Sequence, residues 1–116
     1  MILVFGGNYQ GKTAFAEKLI GGRDAECDIS PVPVPDFSEE IREAMERGED
    51  PDAHLEKRLP ELAGRVVVMS DHSQGLVPME AGQRAYREAC GRAMIRLARE
   101  SEEVYRVFCG IGTRLK

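Results

Sequence analysis

The sequence predicts an α/β fold in which helices flank both faces of a mostly parallel β-sheet, giving three layers. Three short apolar runs, at residues 1–5, 65–70 and 104–109, have the composition of buried parallel strands. Segments with helical spacing of apolar residues separate these runs, as expected for right-handed crossovers between parallel strands. With 116 residues, the chain is expected to form one small domain that spans residues 1–116.

The first apolar run leads into a glycine-rich segment, residues 6–13, which is called the phosphate loop below. It matches the pattern G-x-x-x-x-G-K-[ST] at every defined position. Its glycines let backbone N–H groups turn towards phosphate oxygens, and Lys12 supplies positive charge for the β- and γ-phosphates. The Thr13 hydroxyl can ligate Mg²⁺. The predicted nucleotide-binding residues are Gly6, Gly7, Asn8, Tyr9, Gln10, Gly11, Lys12 and Thr13.

A helix is expected to begin at about Gly11 and to add its N-terminal dipole to the anion site. Apolar residues at 15, 16, 19 and 20 have helical spacing, and the Gly21–Gly22 pair is expected to end the helix. The alternative is a glycine turn that joins a strand to a helix without any ligand. That alternative gives no reason for Lys and Thr to follow Gly11.

The middle of the chain predicts a loop and then short helices. Residues 25–29 form a weak candidate strand, and three prolines at positions 31, 33 and 35 favour an extended stretch. Ser38 is predicted to cap a helix that Gly48 terminates, with Ile41 at the third helical position. Residues 51–62 predict one or two further helical turns, limited by Pro60.

Asp71 directly follows the apolar run at 65–70. Ligands of parallel α/β sheets bind outside the carboxyl ends of the strands, so Asp71 is a candidate catalytic and Mg²⁺-binding residue together with Lys12 and Thr13. The alternative is a loop carboxylate that accepts backbone N–H bonds. Residues 75–78 predict a loop, and residues 80–100 predict a long amphipathic helix. Its expected buried stripe is Ala85, Tyr86, Ala89, Cys90, Ala93, Met94 and Leu97.

Composition excludes several classes of protein. The net charge of −4 disfavours a broad nucleic-acid surface, and no basic run indicates a membrane patch. The N-terminal apolar run is too short for a signal peptide or a membrane span. The three cysteines lack metal-ligand spacing and are expected to be reduced cytoplasmic thiols, with Cys90 and Cys109 facing the core.

Several segments together resemble the adenosylcobinamide kinase/adenosylcobinamide-phosphate guanylyltransferase family of cobalamin biosynthesis. They include a strand followed by G-x-V-P, a helix with R-x-[FY]-R-[DE]-x-x-G, and a closing strand that ends at glycine. The phosphate loop and the Phe-Ala-Glu of the next helix are also similar to this family. The matching residues are 6–13, 15–17, 66–70, 75–78, 84–92, 103–105 and 110–112.

The resemblance implies a P-loop NTPase fold of the RecA type, here reduced in size. It also implies phosphorylation of the aminopropanol hydroxyl of adenosylcobinamide, with ATP or GTP as substrate and Mg²⁺ as cofactor. A second family activity transfers GMP to that phosphate through a guanylylated histidine. A homo-oligomer follows from the resemblance as well, because family members form trimers. The partners expected on this basis are a nucleoside triphosphate and a cobinamide-type corrinoid.

The sequence departs from the family at the histidine. Gly48 stands where the guanylyl-carrying histidine is expected, and a glycine cannot act as a nucleophile. His54 lies six residues later and is either an exposed helix histidine or a replacement for the missing one. Residues 52–62 stand in place of a longer family segment, and Met94–Ile95, an expected core pair, replace Asn-Gln.

Three functions remain open at this stage. The first is a compact cobinamide-kinase-like enzyme that has lost guanylyl transfer. The second is a non-catalytic nucleotide-binding module or pseudo-enzyme of the same pathway. The third is a structural remnant that binds no ligand.

Overall fold

The computed structural model describes residues 1–7, 11–23, 29–71 and 81–116. Within these ranges lies a four-stranded sheet of order β2-β1-β3-β4, in which the first three strands are parallel and β4 is antiparallel to β3. The strands are β1 (Ile2–Gly6), β2 (Val66–Ser70), β3 (Glu103–Phe108) and β4 (Ile111–Arg114). The helices are α1 (Lys12–Gly21), α2 (Phe37–Glu46), α3 (Pro51–Arg58), followed by a 3-10 turn (Leu59–Leu62), and α4 (Ala81–Glu100).

Strands β1 and β2 are buried on both faces, as near-continuous apolar runs require. In β3, only Val104 and Val107 are buried, and Arg106 and Phe108 are exposed. Ile2, Val4 and Val68 pack with α1 on one face of the sheet. Leu3 and Val67 pack on the other face with side chains of α2, α3 and α4. The described elements therefore form three layers, and the prediction of an α/β fold with a mostly parallel sheet is confirmed.

The register aligns the carboxyl ends of the three parallel strands. Gly6 pairs with Ser70 on one side and with Val107 on the other. Because ligands in open α/β folds bind beyond the carboxyl ends of the strands, this edge of the sheet is the expected place for a site. The phosphate loop begins at this edge.

The start of α2 differs from the prediction. The helix begins at Phe37 with Asp36 as its N-cap, so Ser38 lies inside the first turn and is not the cap. Asp36 accepts a hydrogen bond from the Ser38 backbone N–H at 3.1 Å. The helix ends before Gly48, whose φ of 77° agrees with its predicted role as terminator.

The C-terminal region contains a strand that was not predicted. β3 ends at Phe108 and turns through Cys109 and Gly110, both with positive φ, into β4. Cys109 is exposed in this turn, so its predicted place in the core is wrong, whereas Cys90 is buried. Burial raises the pKa of the Cys90 thiol to about 11.

The buried stripe of α4 is narrower than predicted. Ala89, Cys90, Ala93 and Leu97 are buried in the core. Ala85 and Ile95 are exposed, so both were wrongly assigned to the core, while Met94 packs against it as predicted. Residues 25–28 of the candidate second strand and the loop at 75–78 lie outside the described residues, and Ile29 is not in a strand. Across the described ranges, no helix has the length and apolar content to cross a bilayer.

Candidate functional site

The phosphate loop starts at the end of β1, where the backbone of β1 lies close to that of β3. Gly6 is the last residue of β1 and is buried between β2 and β3. A Cβ atom at Gly6 would lie 2.4 Å from the backbone oxygen of Val107, so no other residue fits without moving β3. The close approach of β1 and β3 therefore accounts for the first glycine of the motif.

The other end of the described loop is set by Gly11. This residue has a φ of 84° and forms the N-cap of α1, which begins at Lys12. A Cβ atom here would lie 3.3 Å from the Cα of Gly110, so the turn between β3 and β4 lies against the phosphate loop. The backbone conformation of Gly11 thus favours glycine, and the neighbouring turn leaves little space for a side chain. Asn8, Tyr9 and Gln10 lie between these ends, outside the described residues.

The Lys12 side chain crosses back to the start of the loop. Its residue is only 8% exposed, and its ammonium donates a hydrogen bond of 2.8 Å to the Gly7 carbonyl oxygen. A buried ammonium needs acceptors for its three N–H donors, because an unpaired buried charge is costly. Phosphate oxygens at this position would supply such acceptors.

Thr13 and Asp71 are brought to the same edge of the sheet by different elements. Thr13 is exposed in the first turn of α1, directly after Lys12. Asp71 follows β2, and its backbone N–H donates a 2.7 Å hydrogen bond to the Gly6 carbonyl oxygen. The structure therefore places the backbone of Asp71 against the first glycine of the phosphate loop, and the catalytic and metal-binding roles of its side chain stay predictions.

Asp36 is a residue of this region that the sequence analysis did not identify. Its carboxylate accepts hydrogen bonds from the backbone N–H groups of Ser38 and Ser70, at 3.1 and 3.0 Å, and from both serine hydroxyls. Burial alone would raise the Asp36 pKa, but these hydrogen bonds outweigh it and the pKa lies below its ordinary value of 3.8. Asp36 thus ties the start of α2 to the carboxyl end of β2.

A sequence signal for Asp36 existed. A capping box places an acidic or hydroxyl residue three positions before Glu or Gln. Glu39 stands three residues after Asp36, which fits this pattern better than Ser38 followed by Ile41. The contact with Ser70 had no comparable signal, because the two residues are far apart in the sequence.

Replacing Asp36 with alanine is expected to lower the free energy of unfolding by about 1–3 kcal/mol at pH 7, since it removes an N-cap and the bonds to Ser70. The depressed pKa means that this stabilisation is present above pH 3.8 and is lost as the pH falls through the lower folded-state pKa. The difference between wild type and variant should therefore shrink below about pH 4. Urea unfolding at several pH values measures it.

The matched control is Asp50→Ala, which removes the N-cap of α3. Asp50 is exposed, and its carboxylate accepts one backbone hydrogen bond, from Ala53 at 3.2 Å. The expected loss is smaller, about 1 kcal/mol or less. An equal loss in both variants would contradict the special role given to the Ser70 contact.

His54 is not the exposed helix histidine that was one of its two interpretations. Its side chain is 17% exposed. Its Nε2 lies 3.4 Å from a Glu40 carboxylate oxygen, and its Nδ1 lies 3.8 Å from a Glu49 carboxylate oxygen. Arg58 also pairs with Glu40, at 2.9 Å. His54 thus belongs to an ion-pair cluster that joins α2 to α3.

Comparison with known families agrees with the fold. A family model described as cobinamide kinase / cobinamide phosphate guanyltransferase matches residues 36–115, and a search of curated proteins found no match. The matched segment contains Asp36, β2, Asp71 and the β3–β4 hairpin but begins after the phosphate loop. Because the match spans more than half of the chain, the protein belongs to the cobinamide kinase / cobinamide phosphate guanyltransferase family of cobalamin biosynthesis.

Proposed function

We propose that this protein binds a nucleoside triphosphate at residues 6–13 and phosphorylates the hydroxyl of a cobinamide-type corrinoid. The observation that carries the proposal is the Lys12 ammonium, which is buried and held on the Gly7 carbonyl oxygen. A triphosphate fits this arrangement, because the ammonium retains donors for phosphate oxygens and lies at the N-terminus of α1. The family's nucleotide and cobinamide substrates support the same activity.

The residues present also fit a magnesium ion. Oxygen ligands suit Mg²⁺, and Thr13 and Asp71 supply a hydroxyl and a carboxylate beside the phosphate loop. When bound, the ion would neutralise charge on the phosphates. Phosphoryl transfer depends mainly on positioning and on charge stabilisation. Lys12 would therefore hold the transferring phosphate, while Gly6 and Gly11 allow the loop to approach it closely.

Guanylyl transfer is not part of the proposed function. Gly48 follows α2 in a positive-φ conformation and carries no nucleophile. His54, the remaining candidate on the described part of the chain, has both ring nitrogens close to carboxylates. The short connection through α3 to β2 also leaves little room for further substrate-binding structure. These features favour a kinase without the second activity.

The proposed reaction has a direct test. Purified protein with Mg²⁺, adenosylcobinamide and either ATP or GTP is expected to yield the corrinoid phosphate, detected by chromatography and mass spectrometry. With GTP, the intact mass of the protein is expected to stay unchanged, because neither Gly48 nor His54 is proposed to accept GMP. His54→Ala should turn over like the wild type.

Two experimental results would contradict parts of the proposed function. A protein-bound GMP that disappears in His54→Ala would show that His54 serves as the guanylyl carrier. Nucleotide binding without any corrinoid phosphate would favour the second function, a nucleotide-binding module of the pathway, for which the missing histidine is the motivating observation.

A further inference from the structure

A groove of about 590 Å³ lies beside the phosphate loop, between α1 and the turn that joins β3 to β4. One wall is a single face of α1 with its N-cap residue and the two residues that follow the helix. The other wall is the start of β4 with its turn. The α1 wall comprises Gly11, Ala14, Phe15, Lys18, Leu19, Gly22 and Arg23. The opposite wall comprises Gly110, Ile111 and Gly112.

The groove is continuous with the phosphate loop. Gly11 belongs to both, and Gly110 faces it across the mouth of the groove. From there the groove follows α1 for its ten residues, a length of about 15 Å at 1.5 Å per residue. A second groove, of about 350 Å³ between α2 and α4, is lined by none of the described loop residues. A ligand anchored by its phosphates at the N-terminus of α1 can therefore extend directly into the first groove.

The walls have the chemistry that a nucleoside requires. Phe15 contacts Gly112 so closely that a Cβ atom there would lie 2.1 Å from its ring, and the ring also packs on Tyr105 at 5.4 Å between centroids. This fixed aromatic ring and Leu19 offer an apolar surface for the plane of a base. The ammonium of Lys18, on the same wall, offers a donor to base or ribose oxygens.

The far end of the groove is joined to the sheet by an ion pair. Arg23 donates a 2.6 Å hydrogen bond to Glu103, which joins the residues after α1 to β3. This guanidinium holds the pKa of the Glu103 carboxyl at about 2, well below its usual range, and the Tyr105 hydroxyl contributes through its own hydrogen bond. The wall is thus tied to the sheet, and a ligand would enter a groove that is already formed.

We propose that this groove holds the base and ribose of the nucleoside triphosphate whose phosphates bind residues 6–13. The inference rests on the proposed function, because it needs the phosphates to be anchored at the loop. It adds that base preference is set by Phe15, Lys18, Leu19 and the β3–β4 turn. The groove volume lies within the range of about 300–1,000 Å³ that is typical of small-molecule sites.

The test compares nucleotides with inorganic tripolyphosphate, which has the phosphates but no nucleoside. Calorimetric titration in Mg²⁺ is expected to show that ATP or GTP binds the wild type at least about tenfold more tightly than tripolyphosphate. Ala14→Trp, which fills the groove from an exposed helix position, should remove this advantage and leave tripolyphosphate affinity within about twofold. Ala14→Leu should give a smaller loss of the same kind.

Glu17→Trp is the matched control, because Glu17 is exposed on the same helix but does not line the groove. It should leave all three affinities unchanged. Tripolyphosphate binding equal to nucleotide binding in the wild type would overturn the groove assignment and leave the phosphate site standing. Unchanged nucleotide affinity in Ala14→Trp would overturn it as well. Failure of both ligand types to bind would overturn the proposed function itself.

Discussion

Lys12→Ala is expected to reduce corrinoid phosphorylation by about a hundredfold to a thousandfold, because it removes the charge that faces the transferring phosphate. Nucleotide affinity should fall as well, since the ammonium contributes to binding before the reaction. Steady-state kinetics with ATP and GTP, together with calorimetric titration, measure the two effects separately. The substitution removes one hydrogen bond to Gly7, so the melting temperature should change by only a few degrees.

Lys57→Ala is the control for Lys12→Ala. Lys57 is an exposed lysine of α3, in its last turn. Its loss changes the net charge by the same amount without touching the phosphate loop, so turnover and affinity should match the wild type. If Lys12→Ala retained full turnover, the assignment of the phosphate loop as the catalytic site would be wrong.

Gly6→Ala is expected to destabilise the protein strongly. The new Cβ atom would meet the Val107 backbone oxygen at 2.4 Å, and a backbone atom in a central strand pair cannot rotate away. The expected loss is about 2–4 kcal/mol of unfolding free energy, which corresponds to a drop of about 10 °C in melting temperature. Thermal and urea unfolding measure both quantities.

Gly91→Ala is a matched control for which the expected change in the free energy of unfolding has the opposite sign. Gly91 lies in the middle of α4, is exposed, and has no atom within 4 Å of the position that a Cβ would take. Alanine there should stabilise the protein by up to about 1 kcal/mol, because it restricts the unfolded chain and favours the helix. Similar losses in Gly6→Ala and Gly91→Ala would contradict the steric argument for Gly6.

The parts of the fold that were predictable from sequence are those with strong local signals. β1 and β2 are buried on both faces and therefore appear as apolar runs, and β3 places the buried Val104 and Val107 in the two core clusters. β4 has no such run: it is a four-residue edge strand, mostly exposed, with a glycine at position 112 that accommodates Phe15. Its formation depends on pairing with β3 and on the turn at Cys109 and Gly110. The sequence of this segment shows no periodic apolar pattern that would predict either feature.

The candidate site also combines features with local sequence signals and features without them. The phosphate loop was assigned from a local pattern in which each fixed position has a physical role, and its binding function stays a prediction. The contacts of Asp36 with Ser70, and of Gly11 with Gly110, join segments that are distant in the sequence. The exposure of Ala85 and Ile95 was mispredicted because the apolar pattern of α4 is broader than the face that the neighbouring elements cover.

The position of β1 in the sheet has a consequence for how the protein folds. β1 pairs only with strands that are encoded much later, at residues 66–70 and 103–108. During synthesis its apolar residues must remain without their strand partners until most of the chain has emerged, and long-range pairing of this kind slows folding. The proposed nucleotide site therefore forms late, when β3 pairs with Gly6. Nucleotide present at that stage would stabilise the newly closed sheet and favour completion of folding.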